Sequence, residues 1–319
     1  MSGRAHRRER GVALIIALVV VALATIIATR IGASGARDQR RSATLLAQQQ
    51  AFQVALGAEA WGAEILYDDK QRAPGVDHYA EIWAQPVDLP IDGGEIRAQL
   101  EDMQGRFNLN NLVNPDGTAN PIAVDQFTRL LEKLQMEPKW ASLVVDWIDP
   151  DQNATGADGA EDGVYTSQQP PYRAANRYIT STSELLALPG FGTERYRLLA
   201  PYVAALPNGT KLNTCTAPGL VLDALAPGLQ AFGQDPKQLQ QNRQQDCFPK
   251  RDDVVTALQG AGLSADQLAK TRNMLDQTTD WFRATIQVSL GTNQYTLYSL
   301  IHRDGGGYAR AVLRTFGTE

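Results

Sequence analysis

The apolar run from Val12 to Ala28 is interrupted by one polar side chain, Thr25. It is about as long as the roughly 20 residues a bilayer-spanning helix needs. A short basic stretch, Met1 to Arg10, and a single Gly11 stand ahead of it. Arg4, Arg7, Arg8 and Arg10 outweigh Glu9 on that flank, while Arg30 closes the far side. The positive-inside bias therefore keeps the N-terminus cytoplasmic and sends everything beyond Arg30 across. The sequence predicts a single-pass membrane protein whose bulk is extracytoplasmic.

Three readings compete for the segment. A secretory signal would have a shorter apolar core and a small-residue cleavage site, for which Ala33-Ser34-Gly35 could serve, although Arg30 intervenes. A plain signal anchor explains the hydropathy but not Gly11. The third reading takes Arg10-Gly11-Val12-Ala13-Leu14-Ile15 as a prepilin-peptidase site, cut between Gly11 and Val12 so that the apolar helix stays on the mature chain. Here the sequence resembles type IV pilins and the pseudopilins of type II secretion. Most members carry Glu as the fifth mature residue, whereas this chain has Ile16 and no acid between Gly11 and Asp38. In the family that carboxylate neutralises a neighbour's N-terminal amine, a pairing worth more in lipid than in water. Its absence suits a subunit with nothing above it and resembles the K-type minor pseudopilin, a fibre-tip component.

Composition agrees with export. At 319 residues the chain is one or two domains long with enough apolar content for a core. Net charge is −5; the leader through Gly11 contributes four Arg and one Glu, leaving the mature part at −8. That balance argues against a nucleic-acid surface. The two cysteines, Cys215 and Cys247, lie on the exported side, where disulfides persist, and are expected to pair.

No proline occurs between Val12 and Pro74, and Ala51, Val54, Ala55, Ala58, Gly62 and Ile65 recur at helical spacing. One helix is predicted from Val12 to about Tyr67, with its membrane part over 12–31. Strands are expected at Glu95–Asp102 and Arg106–Leu109, then only at Thr285–Leu290, Gln294–His302 and Tyr308–Thr315, with turns at Gly105, Gly291-Thr292-Asn293 and Gly305-Gly306-Gly307. Between them, helices are read at Val124–Leu134, Trp140–Ile148, Ser183–Leu188, Arg195–Ala205, Ala217–Leu225, Arg251–Leu258 and Asp266–Trp281. The expected organisation is a leader at 1–11, a helix at 12–67, a pilin-like sheet from 68–110 and 283–319, and an inserted α-helical domain at 111–282. The class is α+β: a long N-terminal helix on a small antiparallel sheet, with a large helical insertion between strands. An insertion of this kind is also what the K-type family implies. Phe107-Asn108-Leu109-Asn110, Asp146-Trp147-Ile148-Asp149, Gly159-Ala160-Glu161-Asp162, Tyr172-Arg173-Ala174-Ala175-Asn176 and Leu212-Asn213-Thr214 match its style.

Two constellations lie in the insertion. Asp146, Asp149, Asp151, Asp158, Glu161 and Asp162 crowd a stretch with no Lys or Arg between Lys139 and Arg173. The loop opens like a calcium loop at Asp149-Pro150-Asp151-Gln152-Asn153, but Ala154 and Ala160 stand where an EF-hand needs Gly and Glu. Hard oxygen ligands without His or Cys still favour calcium over zinc. A structural calcium site is expected from Asp149, Asp151, Asn153, Asp158, Glu161 and Asp162, as the family resemblance also implies; the alternative is a solvated acidic loop. The second constellation, Leu188-Pro189-Gly190-Phe191-Gly192, has the form of a helix-hairpin-helix able to hold a DNA phosphate. Its only nearby cations, Arg195 and Arg197, are opposed by Glu184 and Glu194, so it reads as a packing turn.

His6, His78 and His302 are scattered, and no catalytic grouping is evident. The resemblance implies a non-enzymatic minor pseudopilin that caps the periplasmic pseudopilus and is needed for export of folded proteins. Its implied partners are the I- and J-type minor pseudopilins, the major pseudopilin fibre, prepilin peptidase, and cargo or the outer-membrane secretin. The rival functions are a DNA-uptake minor pilin and a membrane-anchored calcium-dependent hydrolase.

Overall fold

The computed structural model of the chain describes residues 6–291 and 293–317. The first five leader residues and Thr292 of the expected turn lie outside the described residues, as do the side chains of 6–11. A single helix, α1 (His6–Arg72, 67 residues), begins before Val12 and continues past Tyr67. At 1.5 Å per residue it is about 100 Å long. Lys70 and Arg72 face the negative end of its dipole, and Pro74 follows where the helix can no longer continue. Its two halves differ. From Val12 to Leu46 every described side chain is exposed, whereas Ala51, Ala55, Glu59, Gly62 and Leu66 are buried. Steps of three and four residues put these five on one face.

That face lies on an antiparallel sheet of β1 (Val87–Ile91), β2 (Gly94–Asp102), β3 (Trp281–Leu290), β4 (Asn293–Arg303) and β5 (Ala309–Phe316), in that spatial order. Alternation along β3 and β4 turns Phe282, Ala284, Ile286, Val288, Leu297 and Ile301 toward Ala51, Ala55 and Leu66 of the helix. Burying a large apolar side chain of this kind contributes about 1.5–3 kcal/mol. Small residues at 51, 55 and 62 let the helix approach, and the Leu100 methyls already stand 3.7 Å from where a side chain on Gly62 would begin. The buried charge of Glu59 is met by Arg314 at 2.7 and 2.8 Å and by the Ser299 hydroxyl. The sequence reading missed β1, an edge strand whose Asp88 and Pro90 weaken the strand pattern; Pro90 is tolerated because an edge leaves backbone donors unpaired.

Between β2 and β3 the chain leaves the sheet and forms α2 (Pro121–Lys133), α3 (Trp140–Ile148), α4 (Asp162–Tyr165), α5 (Gly192–Leu199), α6 (Gly219–Asp223), α7 (Pro236–Arg243), α8 (Arg251–Gln259) and α9 (Ala265–Asn273). One core gathers Phe127, Leu130, Leu131, Trp140, Val144, Tyr165 and Phe191; another gathers Leu222, Leu225, Val254, Leu258 and Leu275. Four expectations are corrected here. The helix read as Asp266–Trp281 stops at Asn273, and Leu275-Asp276 pairs in parallel with Leu212-Asn213 before Trp281 opens β3. The strand read as Arg106–Leu109 is not in the main sheet; Phe107-Asn108 pairs with Val203-Ala204. The helix read as Arg195–Ala205 is α5 plus a 3-10 turn, ending where those two residues turn extended. Ser183–Leu188 is a 3-10 turn over Thr182–Ala187, opened by a Ser181/Glu184 capping box. Cys215 and Cys247 are disulfide-bonded, tying the chain before α6 to the α7–α8 connection.

The insertion meets the sheet at the end farthest from the apolar half of α1. There Met103 N–H donates to Trp281 C=O (3.0 Å), while at the opposite end Ile91 and Leu290 border a groove with Leu46 and Gln49. A buried polar network welds the junction. Asn213 Nδ2 donates to Asp77 C=O (2.9 Å), Asp102 (2.8 Å) and Thr279 (3.0 Å), and Thr279 N–H donates to Asp77 (2.7 Å). Arg303, fully buried, donates to Asp77, to Asp69 (3.1 Å), and to the carbonyls of Leu66 (3.2 Å) and Thr279 (2.6 Å).

Candidate metal centre

Helix α3 ends with the Asp149 N–H donating to Val145 C=O, and the chain then loops through 150–161 to α4. Asp146, one turn inside α3 and fully buried, shapes that loop. Its carboxylate accepts the amides of Thr155 (3.0 Å) and Ala160 (2.7 Å). Gly159 is required for this closure, because a Cβ there would fall 2.3 Å from the Asp146 carboxylate. Fixing Ala160 brings the next residue, Glu161, opposite Asp149. Asp151 accepts the Asn153 amide (2.7 Å) in a tight turn that aims it at the same point. One oxygen each from Asp149, Asp151 and Glu161 then lie within 4.8 Å of one another.

Asp149 and Glu161 are buried, and Asp149 Oδ1 and both Glu161 oxygens have no hydrogen-bond partner among the described residues. Burial and the neighbouring charges of Asp151 and Asp146 push Asp149 up to about 7. Burial and the charges of Asp146, Asp149, Asp151 and Asp162 push Glu161 up to about 7. Orphaned buried oxygens in a like-charge group are costly unless a cation compensates them. The donor set is all oxygen, which fits a hard divalent ion such as calcium better than zinc.

The other expected ligands sit differently. Asp162 accepts the Ala174 amide (3.1 Å) and faces Arg173 at 3.7 Å, helping to hold α4 against the following segment. Asp158 is exposed and stands outside the three-residue group, and Asn153 is exposed beside it with its backbone amide donated to Asp151. Asp146, an acid of the stretch not chosen as a ligand, turns out to organise the loop. Its position one turn inside a helix, three residues before Asp149, is the signal that could have marked it.

A second acid group, Asp69, Asp77 and Glu81, also has oxygens within 4.8 Å of one another. Burial and the charges of Glu81 and Asp77 push Asp69 up to about 7, but Arg303 binds both aspartates and Glu81 accepts from His78 N–H (2.8 Å) and Trp83 Nε1 (2.7 Å). This group is an ion-pair and hydrogen-bond network of the junction. The hairpin at Leu188–Gly192 is likewise closed on itself: Arg195 donates to the carbonyls of Gly190 and Phe191 (both 3.1 Å), and its guanidinium lies 5.4 Å from the Trp140 ring centroid. That arrangement agrees with a packing turn. The ring of His302 lies 4.5 Å from that of Trp281, and His78 Nδ1 accepts the Ala80 amide (3.2 Å).

A type II secretion system protein K from Pseudomonas aeruginosa is 37% identical over 329 residues, covering 98% of this chain and 94% of that protein. The chain belongs to the type II secretion system protein K family. The Pectobacterium carotovorum protein K is 34% identical, over 93% of this chain and 94% of its own length. The family model described as "Type II secretion system (T2SS), protein K" matches residues 105–208, the stretch that contains Asp149, Asp151 and Glu161. Among solved structures, the fold resembles the GspK-GspI-GspJ complex of the enterotoxigenic Escherichia coli Type 2 secretion system, with a TM-score of 0.77 and 25% identity, over 88% of this chain and all of that one. The α+β class is that of this family, and α1 is long and apolar enough to cross a membrane. The relatives are named as secretion-system components.

Proposed function

We propose that this K-family protein is a non-enzymatic minor pseudopilin that caps the tip of the periplasmic pseudopilus and is needed for export of folded proteins across the outer membrane. The observation that carries the reading is the division of α1. From Val12 to Leu46 every described side chain is exposed and no acid occurs before Asp38, while the second half lays one buried face on the sheet of a globular head. A helix so exposed needs a membrane or a bundle of like helices to cover it. The related chain in the Escherichia coli structure is accompanied by GspI and GspJ, so the partners proposed here are the I- and J-type minor pseudopilins, side by side through their apolar helices. The insertion stands at the head's far end, where it would obstruct a subunit stacked above, and Ile16 offers no carboxylate to such a subunit's amine.

Processing between Gly11 and Val12 with the span left in the inner membrane, N-terminus cytoplasmic, belongs to the same reading. So does a structural calcium ion held by Asp149, Asp151 and Glu161, which would rigidify the loop between α3 and α4. Co-expression with the I- and J-type subunits tests the proposal: a complex of one copy of each supports it, and a chain that purifies alone under the same conditions counts against it.

A further inference from the structure

Beyond the apolar run, α1 carries Arg30, Arg37, Arg40 and Arg41 against one acid, Asp38, and no other charge follows before Glu59. At 100° per residue, Arg30, Arg37 and Arg41 fall within about 20° of one line on the helix surface, a stripe about 16 Å long. All four arginines are exposed, and among the described residues none is paired with a carboxylate. Arg37, Arg40 and Arg41, on an exported flank, run against the positive-inside bias that orients the chain. Their presence is therefore not accounted for by topology.

Geometry connects them to the bilayer surface. Residues 12–31 span about 30 Å of helix, the thickness of the hydrocarbon layer. The Arg30 Cα then stands at its edge and that of Arg37 about 9 Å beyond. Helical side chains lean toward the helix N-terminus, which here is the membrane side. Arg37 does so: its Nε donates to the Ala33 carbonyl at 3.2 Å, one turn back toward the apolar run. Leaning of this kind brings guanidinium groups into the headgroup layer, where planar, forked donors match phosphate oxygens.

We propose that the stripe of Arg30, Arg37 and Arg41, flanked by Arg40, is a binding surface for the phosphodiester groups of anionic phospholipids in the leaflet that α1 leaves. The proposal rests on the reading of residues 12–31 as a membrane span. It makes the unassembled subunit a lipid-held one, whose entry into a helix bundle exchanges headgroups for partner helices.

The test uses the full chain in vesicles. A fluorophore is attached at Ser42→Cys, since the native cysteines are bonded to each other. Its quenching by spin-labelled phosphatidylglycerol is compared with that by spin-labelled phosphatidylcholine at equal mole fraction. The expected ratio is roughly twofold or more in favour of phosphatidylglycerol at low salt, falling toward one in molar salt. Arg37→Gln with Arg41→Gln should bring it to about one at low salt too. Equal quenching by both lipids in the unaltered chain, or a ratio the double substitution does not change, overturns the proposal while leaving the span intact. Absence of quenching by either lipid would instead sink the span reading. A ratio of one, combined with loss of co-purification with the other minor pseudopilins in the double variant, would assign the stripe to acids on a partner helix.

Discussion

Glu161→Gln should reverse sign with calcium. In chelator at pH 8 the substitution removes a buried charge that faces Asp149 and Asp151 without any hydrogen-bond partner of its own, so the thermal midpoint should rise. In saturating calcium the same substitution should lower it relative to the unaltered chain, because a ligand is lost. For the unaltered chain, free calcium at a hundredfold above its dissociation constant stabilises by about 2.7 kcal/mol. In a folding unit of this size that is a rise of about 5–10 °C. The two raised carboxyls set the pH dependence. Asp149 and Glu161 both titrate near 7 without the ion, so each must lose a proton to bind it, and affinity should be about a hundredfold higher at pH 8 than at pH 6. The calcium-free fold should behave oppositely. Both groups hold their protons longer folded than unfolded, so the stability they lend is complete below their unfolded values near 4 and is lost as pH rises through about 7. Differential scanning fluorimetry of the purified chain across that pH range, with calcium and with chelator, reads all of this. A midpoint indifferent to calcium, or a Glu161→Gln variant that keeps the full calcium shift, would refute the reasoning.

Other outcomes follow from the same structure. Gly11→Asp should leave uncut precursor in the membrane, whereas intact mass of the native product should place its first residue at Val12; a start near Ala36 would contradict the processing site. Replacing Cys215 and Cys247 by Ser opens a loop with a sequence separation of 32 and should cost about 3–4 kcal/mol in urea unfolding. Arg303→Met should cost about 3–5 kcal/mol by the same measurement, because it strands the buried carboxylate of Asp77 and the half-buried one of Asp69. A loss under 1 kcal/mol would mean the junction network relaxes around the change.

The elements legible in the sequence were those with a strong local pattern. The long helix announced itself through the absence of proline and the spacing of Ala51, Ala55 and Gly62, and β2 to β5 through alternation and glycine turns. What escaped depends on contacts distant in sequence. Nothing local ends α9 at Asn273 rather than Trp281; Leu275-Asp276 is extended because it pairs with Leu212-Asn213. Phe107-Asn108 has strand character, but its partner is Val203-Ala204 in the insertion. The acidic loop was visible as a cluster, yet composition cannot rank six carboxylates. Asp146 is taken by the amides of Thr155 and Ala160, Asp162 by that of Ala174, and only the remaining geometry brings Asp149, Asp151 and Glu161 together.

The central claim is position in the fibre, and direct imaging tests it. Pseudopili assembled with a compact tag placed in the α8–α9 turn at 260–264 of the insertion, marked with gold particles and viewed by electron microscopy, should carry a single particle at one end. Particles at regular intervals along the shaft would contradict the cap, and with it the significance given to Ile16.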